Sequence, residues 1–356
     1  MTIVSHAHPF VISADTHART HTLAMLVAAT GEQLACDTFP ATAASMGRAV
    51  AWAGRRTGGG LDVLWVIEGI GSCGASLARL VASAGYLVVE APRMNARFRR
   101  GTGKSDPLDT RAIGAAVLGL ETSQLRRPRR DDGLRPALRV LIAAREQMTG
   151  ERTANVNALT GLVRAVELGI DARKPLTGSH IADISHWRTR EDNLGTSTAR
   201  AETVRLAKRI LELGETLQRN QIRMTELIQA SQAAPLLEQT GIGPLTAAVV
   251  LTAWSHPGRV RSEAAFAALA GVNPIPASSG NIVRHRLNRG GDRRLNRALH
   301  IATIVRMTHD PTTRAHVERR LAKGRTLREI RRCLKRYLAR HLYRTLNALY
   351  APTPAP

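Results

Sequence analysis

Near the start of the chain, three stretches of strand length, FVISADTH, THTLAMLVA and EQLACDTF, carry short apolar runs and are separated by short polar turns. Short apolar runs of this length, bounded by turn residues, read as strands. Three consecutive hairpin-joined strands are therefore expected. Helical spacing takes over in ATAASMGRAVAWAGRR. LDVLWVIE and YLVVEAP are then short apolar runs of strand length, with the helical GASLARLVASAG between them, and a further helix follows Pro107.

A doubly wound sheet alternates strand and helix from its start. Hairpin strands first and crossover units afterwards is instead the order of an RNase H-like domain. Residues 124–136 (QLRRPRRDDGLRP) form a charged, Pro-containing boundary. Beyond it, residues 138–166 and 199–230 each repeat apolar positions every third or fourth residue, the pattern of long amphipathic helices. The polar, Gly/Pro-punctuated residues 169–197 between them read as a loop. An antiparallel coiled-coil arm and a helical bundle packed on the core fit this periodicity equally well. From residue 235, LLEQTGIGPLTAAVVLTAW reads as helix, tight turn, helix. Next come the loop GVNPIPASSGN, a basic stretch, and a basic helix to about residue 348. The expected fold class is α/β plus α. Residues 1–125 form an RNase H/RuvC-like domain, 126–232 a coiled-coil helical linker, 233–350 a mostly helical C-terminal domain, and 351–356 a disordered tail.

Charge narrows the function. The chain carries 51 Lys+Arg against 28 Asp+Glu, a net charge of +23, which favours polyanionic partners. Residues 314–344 alone hold twelve Lys/Arg against two Glu. Aromatic content of 3% argues against stacking of single-stranded bases as the main binding mode. No apolar run reaches the roughly 18 residues of a spanning helix. The N-terminus has no signal-peptide pattern. Cys36, Cys73 and Cys333 are far apart, which indicates a reducing compartment and no zinc site. A cytoplasmic, nucleoid-associated protein without membrane contact is expected.

Against this basic background, four acids in the first third draw attention: Asp15 and Glu68 end strand-like runs, and Asp106 and Asp109 open the helix in GKSDPLDTRAIGAAVL. Carboxylates on strand ends can hold a metal ion against a polyanion. Each has a plainer explanation. Asp106 before Pro107 suits a helix N-cap and Asp109 the first turn; Asp15 suits a turn. Glu68 is harder to explain that way, because acids at the end of a core strand are rarely unpaired. GTGKS lacks the first glycine of a phosphate-binding loop, since position 98 is Phe98. Gly69-x-Gly71-x-x-Gly74 follows a strand and precedes Glu90 as a dinucleotide fingerprint would, but three strands precede it and no second mononucleotide half follows. Close packing of helix on strand is the better reading of these glycines. TGIGPLTAA suits either a backbone phosphate grip or an ordinary turn. Ser278 and Ser279 lie in a loop just before Arg284, Arg286, Arg289, Arg293 and Arg294. An exposed serine with cations to hold phosphate oxygens could attack phosphorus.

In order, Asp15 after a strand, IEGIGSCG, GKSDPLDTRAI, LLEQTGIGPLTAAVVL, FAALAGVNPIPASSGN and LNRGGDRRLNRALH resemble the DEDD-type insertion-sequence transposases, serine-dependent recombinases that use a bridge RNA. The resemblance runs over nearly the whole chain. It implies that Asp15, Glu68, Asp106 and Asp109 hold Mg²⁺. It also implies that Ser279, the residue before Gly280, is the nucleophile, with Ser278 adjacent. Asn281 departs from the Gly or Lys common in the family. Lys104 and the five arginines become candidate nucleic-acid contacts. The implied partners are donor and target double-stranded DNA, a noncoding bridge RNA, and further copies of the chain in a dimer or tetramer. A RuvC-like nuclease or junction resolvase would need only the acids, and a basic architectural protein would need neither acids nor serine.

Overall fold

In a computed structural model of the protein, residues 2–92, 105–130, 132–190, 192–278 and 285–351 are described. The chain forms two compact units, Met1–Arg130 with His256–Ala265, and Asp131–Ser255 with Phe266–Pro356.

The first unit is built on a five-stranded sheet. After the short helix α1 (Val4–Ala7) come β1 (Phe10–Thr16), β2 (Thr20–Val27) and β3 (Gln33–Pro40), then α2 (Ala43–Arg56), β4 (Leu64–Ile67), α3 (Ala75–Ser83), β5 (Leu87–Glu90) and α4 (Asp106–Leu118). The order across the sheet is β3-β2-β1-β4-β5. The first three strands pair antiparallel, and β4 and β5 run parallel to β1. This is the sequence expected from hairpins followed by crossovers, and it leaves β1 in the centre.

Alternation divides the sheet into two faces. Ile12, Ala14, Leu23, Met25, Trp65, Ile67 and Val88 join Ala49, Trp52 and Leu77 in one core, under α2 and α3. Val11, Leu64, Val66 and Val89 join Ile113 and Val117 of α4 on the other face. Helix α4 sits very close to the sheet. A Cβ on Gly114 would stand 3.0 Å from Leu26 and 3.1 Å from Ser13.

In the second unit, α5 (Arg135–Ala165) and α7 (Leu194–Gln229) lie side by side. Their cross-links fix the direction. Asn220 Nδ2 donates to the Leu141 carbonyl (3.1 Å), Arg145 to the Leu217 carbonyl (2.9 Å), and Arg209 pairs with Glu151 (2.6 Å). Residues high in one helix meet residues low in the other, so the pair is antiparallel. The segment between them is not all loop. It contains α6 (Gly178–Ser185), whose Ile181 and Ile184 close a core with Leu159, Val163, Leu206 and Ile210. Thr177 caps this helix, accepting from the His180 amide. Eight residues among Gly, Ser and Pro carry too little periodicity to show in the sequence. The helices also pack on α8 (Pro244–Trp254). Every residue of α8 from Thr246 to Trp254 is buried, which is why its sequence is apolar all round.

Ahead of α8, the expected first helix is only a 3-10 segment, Ala234–Glu238. Gly241 then turns the chain with φ +81°, against the backbone of Ala302, where a Cβ would stand 2.7 Å from a carbonyl. After the short α9 (Glu263–Leu269), the single basic helix expected at the C-terminus is three: α10 (Arg293–His309), α11 (Pro311–Ala322) and α12 (Leu327–Leu349). Asp310 with Pro311 ends one helix and caps the next. Gly324, at φ +72°, makes the second break. Among the described residues no helix is long and apolar enough to cross a membrane.

Candidate active site

Asp15 is the sixth residue of β1 and falls on the α4 face with Val11 and Ser13. It is 6% exposed. The parallel register pairs Ala14 with Ile67, so Glu68 is the next position on β4 beside Asp15, about one strand spacing (~4.8 Å) away in backbone terms. The Glu68 amide donates to the Ala14 carbonyl (2.9 Å), and the Thr16 hydroxyl donates to the Glu68 carbonyl (2.8 Å). These bonds lock the end of β4 to the end of β1. Glu68 itself is exposed.

The glycines after Glu68 serve that packing. Gly69 turns with φ +64°. A Cβ on Gly74 would stand 2.6 Å from the Glu68 carbonyl oxygen and 3.0 Å from Thr16 Oγ1. Gly71, by contrast, has nothing within 4 Å of where a Cβ would stand.

Helix α4 brings the other two acids. Ser105, not Asp106, is the residue preceding the helix, and its side chain makes no capping bond. Thr110, fully buried, donates to the Asp106 carbonyl (2.6 Å) and reaches the Thr22 carbonyl (3.5 Å). That contact seats the first turn over β2, next to Asp15. The Asp106 carboxylate then approaches His17, with Oδ1 3.8 Å from Nε2, and Asp15 Oδ2 is 3.3 Å from the same nitrogen. Asp15, His17 and Asp106 offer ligand atoms all within 4.8 Å of one another. Glu68 and Asp109 lie outside that tight group. Burial raises the Asp15 carboxyl above its ordinary range; His17 opposes the shift, and the charges of Asp106 and Asp109 add to it. Asp109 is thus near enough to be felt. Crowded carboxylates at a desolvated strand end, with an imidazole among them, form a donor set suited to a divalent cation.

His17 escaped the sequence reading. In ADTHART it looks like part of a polar turn, and the only available signal was its i+2 spacing from Asp15. It lines an open cleft of about 370 Å³ with His21, Ser72, Cys73 and Ser76. Burial lowers the His21 pKa.

Within the second unit, β6 (Pro274–Pro276) pairs antiparallel with β7 (His285–Leu287), the strands that flank the candidate serines in sequence. Ser278 is described and exposed; Ser279, Arg284 and, in the first unit, Lys104 lie outside the described residues. The hairpin base is clamped by residues that the sequence presented only as a basic stretch. Gly291 (φ +95°) packs so closely on the Leu269 carbonyl and Gly271 amide that a Cβ would stand 2.6 and 2.7 Å from them. Asn288 Nδ2 donates to Asn273 Oδ1 (2.7 Å). The Asp292 amide donates to the Leu269 carbonyl (2.7 Å), and its carboxylate caps α10. Asn296 donates to the Ala270 carbonyl and accepts from Lys335 (2.8 Å). Arg286, Arg289 and Arg293 are exposed. Arg294 is instead paired with Glu146 at 2.6 Å, as is Arg297 at 2.7 Å, so part of its charge is already balanced.

Two family models match the chain. One, described as a transposase model of the DEDD IS110 type, matches residues 12–167, which include all four acids. The other, described as the Transposase IS116/IS110/IS902 family, matches residues 233–318, which include the serine loop and the arginines. The chain is 24% identical over 312 residues to the "Insertion element IS110 uncharacterized 43.6 kDa protein" of Streptomyces coelicolor, covering 74% of this chain and 76% of that protein. It is 25% identical over 339 residues to the "Insertion element IS900 uncharacterized 42 kDa protein" of Mycobacterium paratuberculosis, covering 82% and 83%.

Proposed function

We propose that the chain, matched by IS110-type transposase models over residues 12–167 and 233–318, is an insertion-sequence transposase that cuts and rejoins DNA, and that its reaction is a serine-mediated transesterification assisted by a carboxylate-held metal. The observation that carries this reading is the convergence of Asp15 and Asp106 on one point at the mouth between β1 and α4, with Asp109 close enough to raise the Asp15 pKa. Glu68, locked beside Asp15 by the Thr16 bond, completes the acidic set on an RNase H/RuvC-like sheet.

A Mg²⁺ ion held there would polarise a phosphodiester oxygen. Ser279 Oγ attacks phosphorus; the new O–P bond replaces the bond to the leaving deoxyribose oxygen, which departs as a hydroxyl. A hydroxyl of the second DNA then attacks the same phosphorus and releases the serine. Arg286, Arg289 and Arg293 hold the phosphate oxygens during both steps, together with Arg284. Lys104 grips backbone near the acids. The chain works as a homo-oligomer on donor and target duplexes, and a noncoding bridge RNA selects both by base pairing while the protein holds backbones. The net charge of +23 and low aromatic content suit such backbone grip.

The test is trapping. Protein incubated with DNA, RNA and Mg²⁺ and then denatured should carry covalently attached DNA; Ser279→Ala and Asp15→Asn should each abolish the adduct. Strand cleavage that survives Ser279→Ala but not Asp15→Asn would establish a RuvC-like nuclease instead. Normal function after loss of all four acids would leave only a basic binding protein.

A further inference from the structure

We propose that His17 is a nitrogen ligand of the metal held at the carboxylate site, and that the site therefore favours Mn²⁺ over Mg²⁺. The inference rests on the metal-binding reading given above. Three observations carry it. First, His17 Nε2 lies 3.3 Å from Asp15 Oδ2 and 3.8 Å from Asp106 Oδ1. Ligands about 2.1 Å from one ion stand roughly 3.0 Å apart when adjacent and roughly 4.2 Å apart when opposite. Both separations fall between those two values.

Second, among the described residues these three offer ligand atoms that all lie within 4.8 Å of one another, and Glu68 and Asp109 are not part of that group. The ring nitrogen thus stands within ligand-sharing distance of both Asp15 and Asp106. Third, the imidazole is half exposed and lines the open cleft with Ser72 and Cys73. An ion can reach it from solvent, and its remaining positions can face a phosphate. An all-oxygen site suits Mg²⁺, while a nitrogen donor raises affinity for Mn²⁺ and later transition ions.

The experiment uses the full-length chain without nucleic acid. Mn²⁺ and Mg²⁺ binding are measured by calorimetric titration, and bound Mn²⁺ is examined by electron spin echo spectroscopy for modulation from a coordinated nitrogen. The native protein should bind Mn²⁺ at least about tenfold more tightly than Mg²⁺ and show the nitrogen modulation. His17→Gln should weaken Mn²⁺ by about tenfold or more, by comparison with the losses seen when even outer-shell partners are removed, should change Mg²⁺ by much less, and should lose the modulation. Mn²⁺ bound by the native protein without nitrogen modulation would overturn the proposal while leaving the carboxylate site standing. Failure of the native protein to bind either ion would overturn both. The spectroscopic arm needs only native protein, so a folding defect in the variant cannot hide the answer.

Discussion

Gly74→Ala should destabilise the first unit, whereas Gly71→Ala should not. Gly74 precedes α3 with φ −80° and ψ −3°, a conformation alanine adopts freely, so backbone strain contributes nothing. The cost is steric. The added methyl would stand 2.6 Å from the Glu68 carbonyl oxygen, 3.0 Å from Ile67 Cγ2 and 3.0 Å from Thr16 Oγ1. The carbonyl is backbone, held by the Thr16 bond of 2.8 Å, and cannot swing away. Overpacking of this kind costs about 1–3 kcal/mol. For a unit of this size each kcal/mol moves the midpoint by roughly 3–4 °C, so a fall of about 3–12 °C is expected. Gly71 has nothing within 4 Å and no positive φ. Its replacement should be neutral or stabilise by up to about 1 kcal/mol through the unfolded chain. Calorimetry of the full-length variants measures the midpoints. Hydrogen exchange of peptides covering β1 and β4 assigns the change to this unit. A neutral Gly74→Ala, or a Gly71→Ala at least as damaging, would refute the packing account of IEGIGSCG and revive a phosphate-binding one.

Burial raises the Asp15 pKa above its ordinary 3.8, so without metal the folded state holds this proton more tightly than the unfolded state does. Stability is then lost as pH rises from about the unfolded value through the folded one; Asp15→Asn should raise the midpoint at pH 7 in chelator, while a less stable variant there would contradict the sign. Asp292→Ala removes the oxygen that accepts from the Arg294 and Leu295 amides (2.9 and 3.1 Å), and should cost about 1 kcal/mol in denaturant titration. Gly271→Ala should cost more, because φ +64° and the facing Gly290 carbonyl both oppose a side chain; equal stability would show that the hairpin base is not clamped. Arg286→Ala should weaken DNA binding similarly across sequences and reduce the slope of log K against log salt by about one, and an unchanged slope in a salt series would remove this residue from the backbone contacts.

The sheet was legible because its strands are short apolar runs bounded by polar turns and because order alone separates hairpins from crossovers. FVISADT places Ile12 and Ala14 in one core and Val11 and Ser13 on the other face, as a period of two requires. The acids were legible as residue types at element ends. What escaped depends on tertiary closure. Helix α6 is eight residues, too short for a periodic signal, and is held by its Thr177 cap and by Ile181 and Ile184 against α5 and α7. The basic C-terminal run hid two breaks, since its charges mask the Asp310–Pro311 and Gly324 signals. In LNRGGDRRLN the arginines drew the eye, yet the neutral and acidic residues between them do the anchoring: Asn288, Gly291, Asp292 and Asn296 all bind the base of the serine hairpin.

The acids of α4 show how geometry separates a cap from a ligand. In sequence, SDPLD is as good a helix start as any, and capping alone would account for both aspartates. A capping carboxylate would face its own helix's amides. Ser105 occupies the capping position, and Asp106 lies one residue inside, with its carboxylate set toward His17 on β1's extension. The helix dipole still favours negative charge at this end, which offsets part of the repulsion among three acids. Burial, with a further contribution from Asp106 and Asp109, nevertheless leaves the Asp15 pKa raised. Apolar residues at these positions would make a more stable sheet end. Perturbed acids gathered this way cluster at functional sites, and a bound cation of the kind proposed above would relieve the mutual repulsion of Asp15, Asp106 and Asp109.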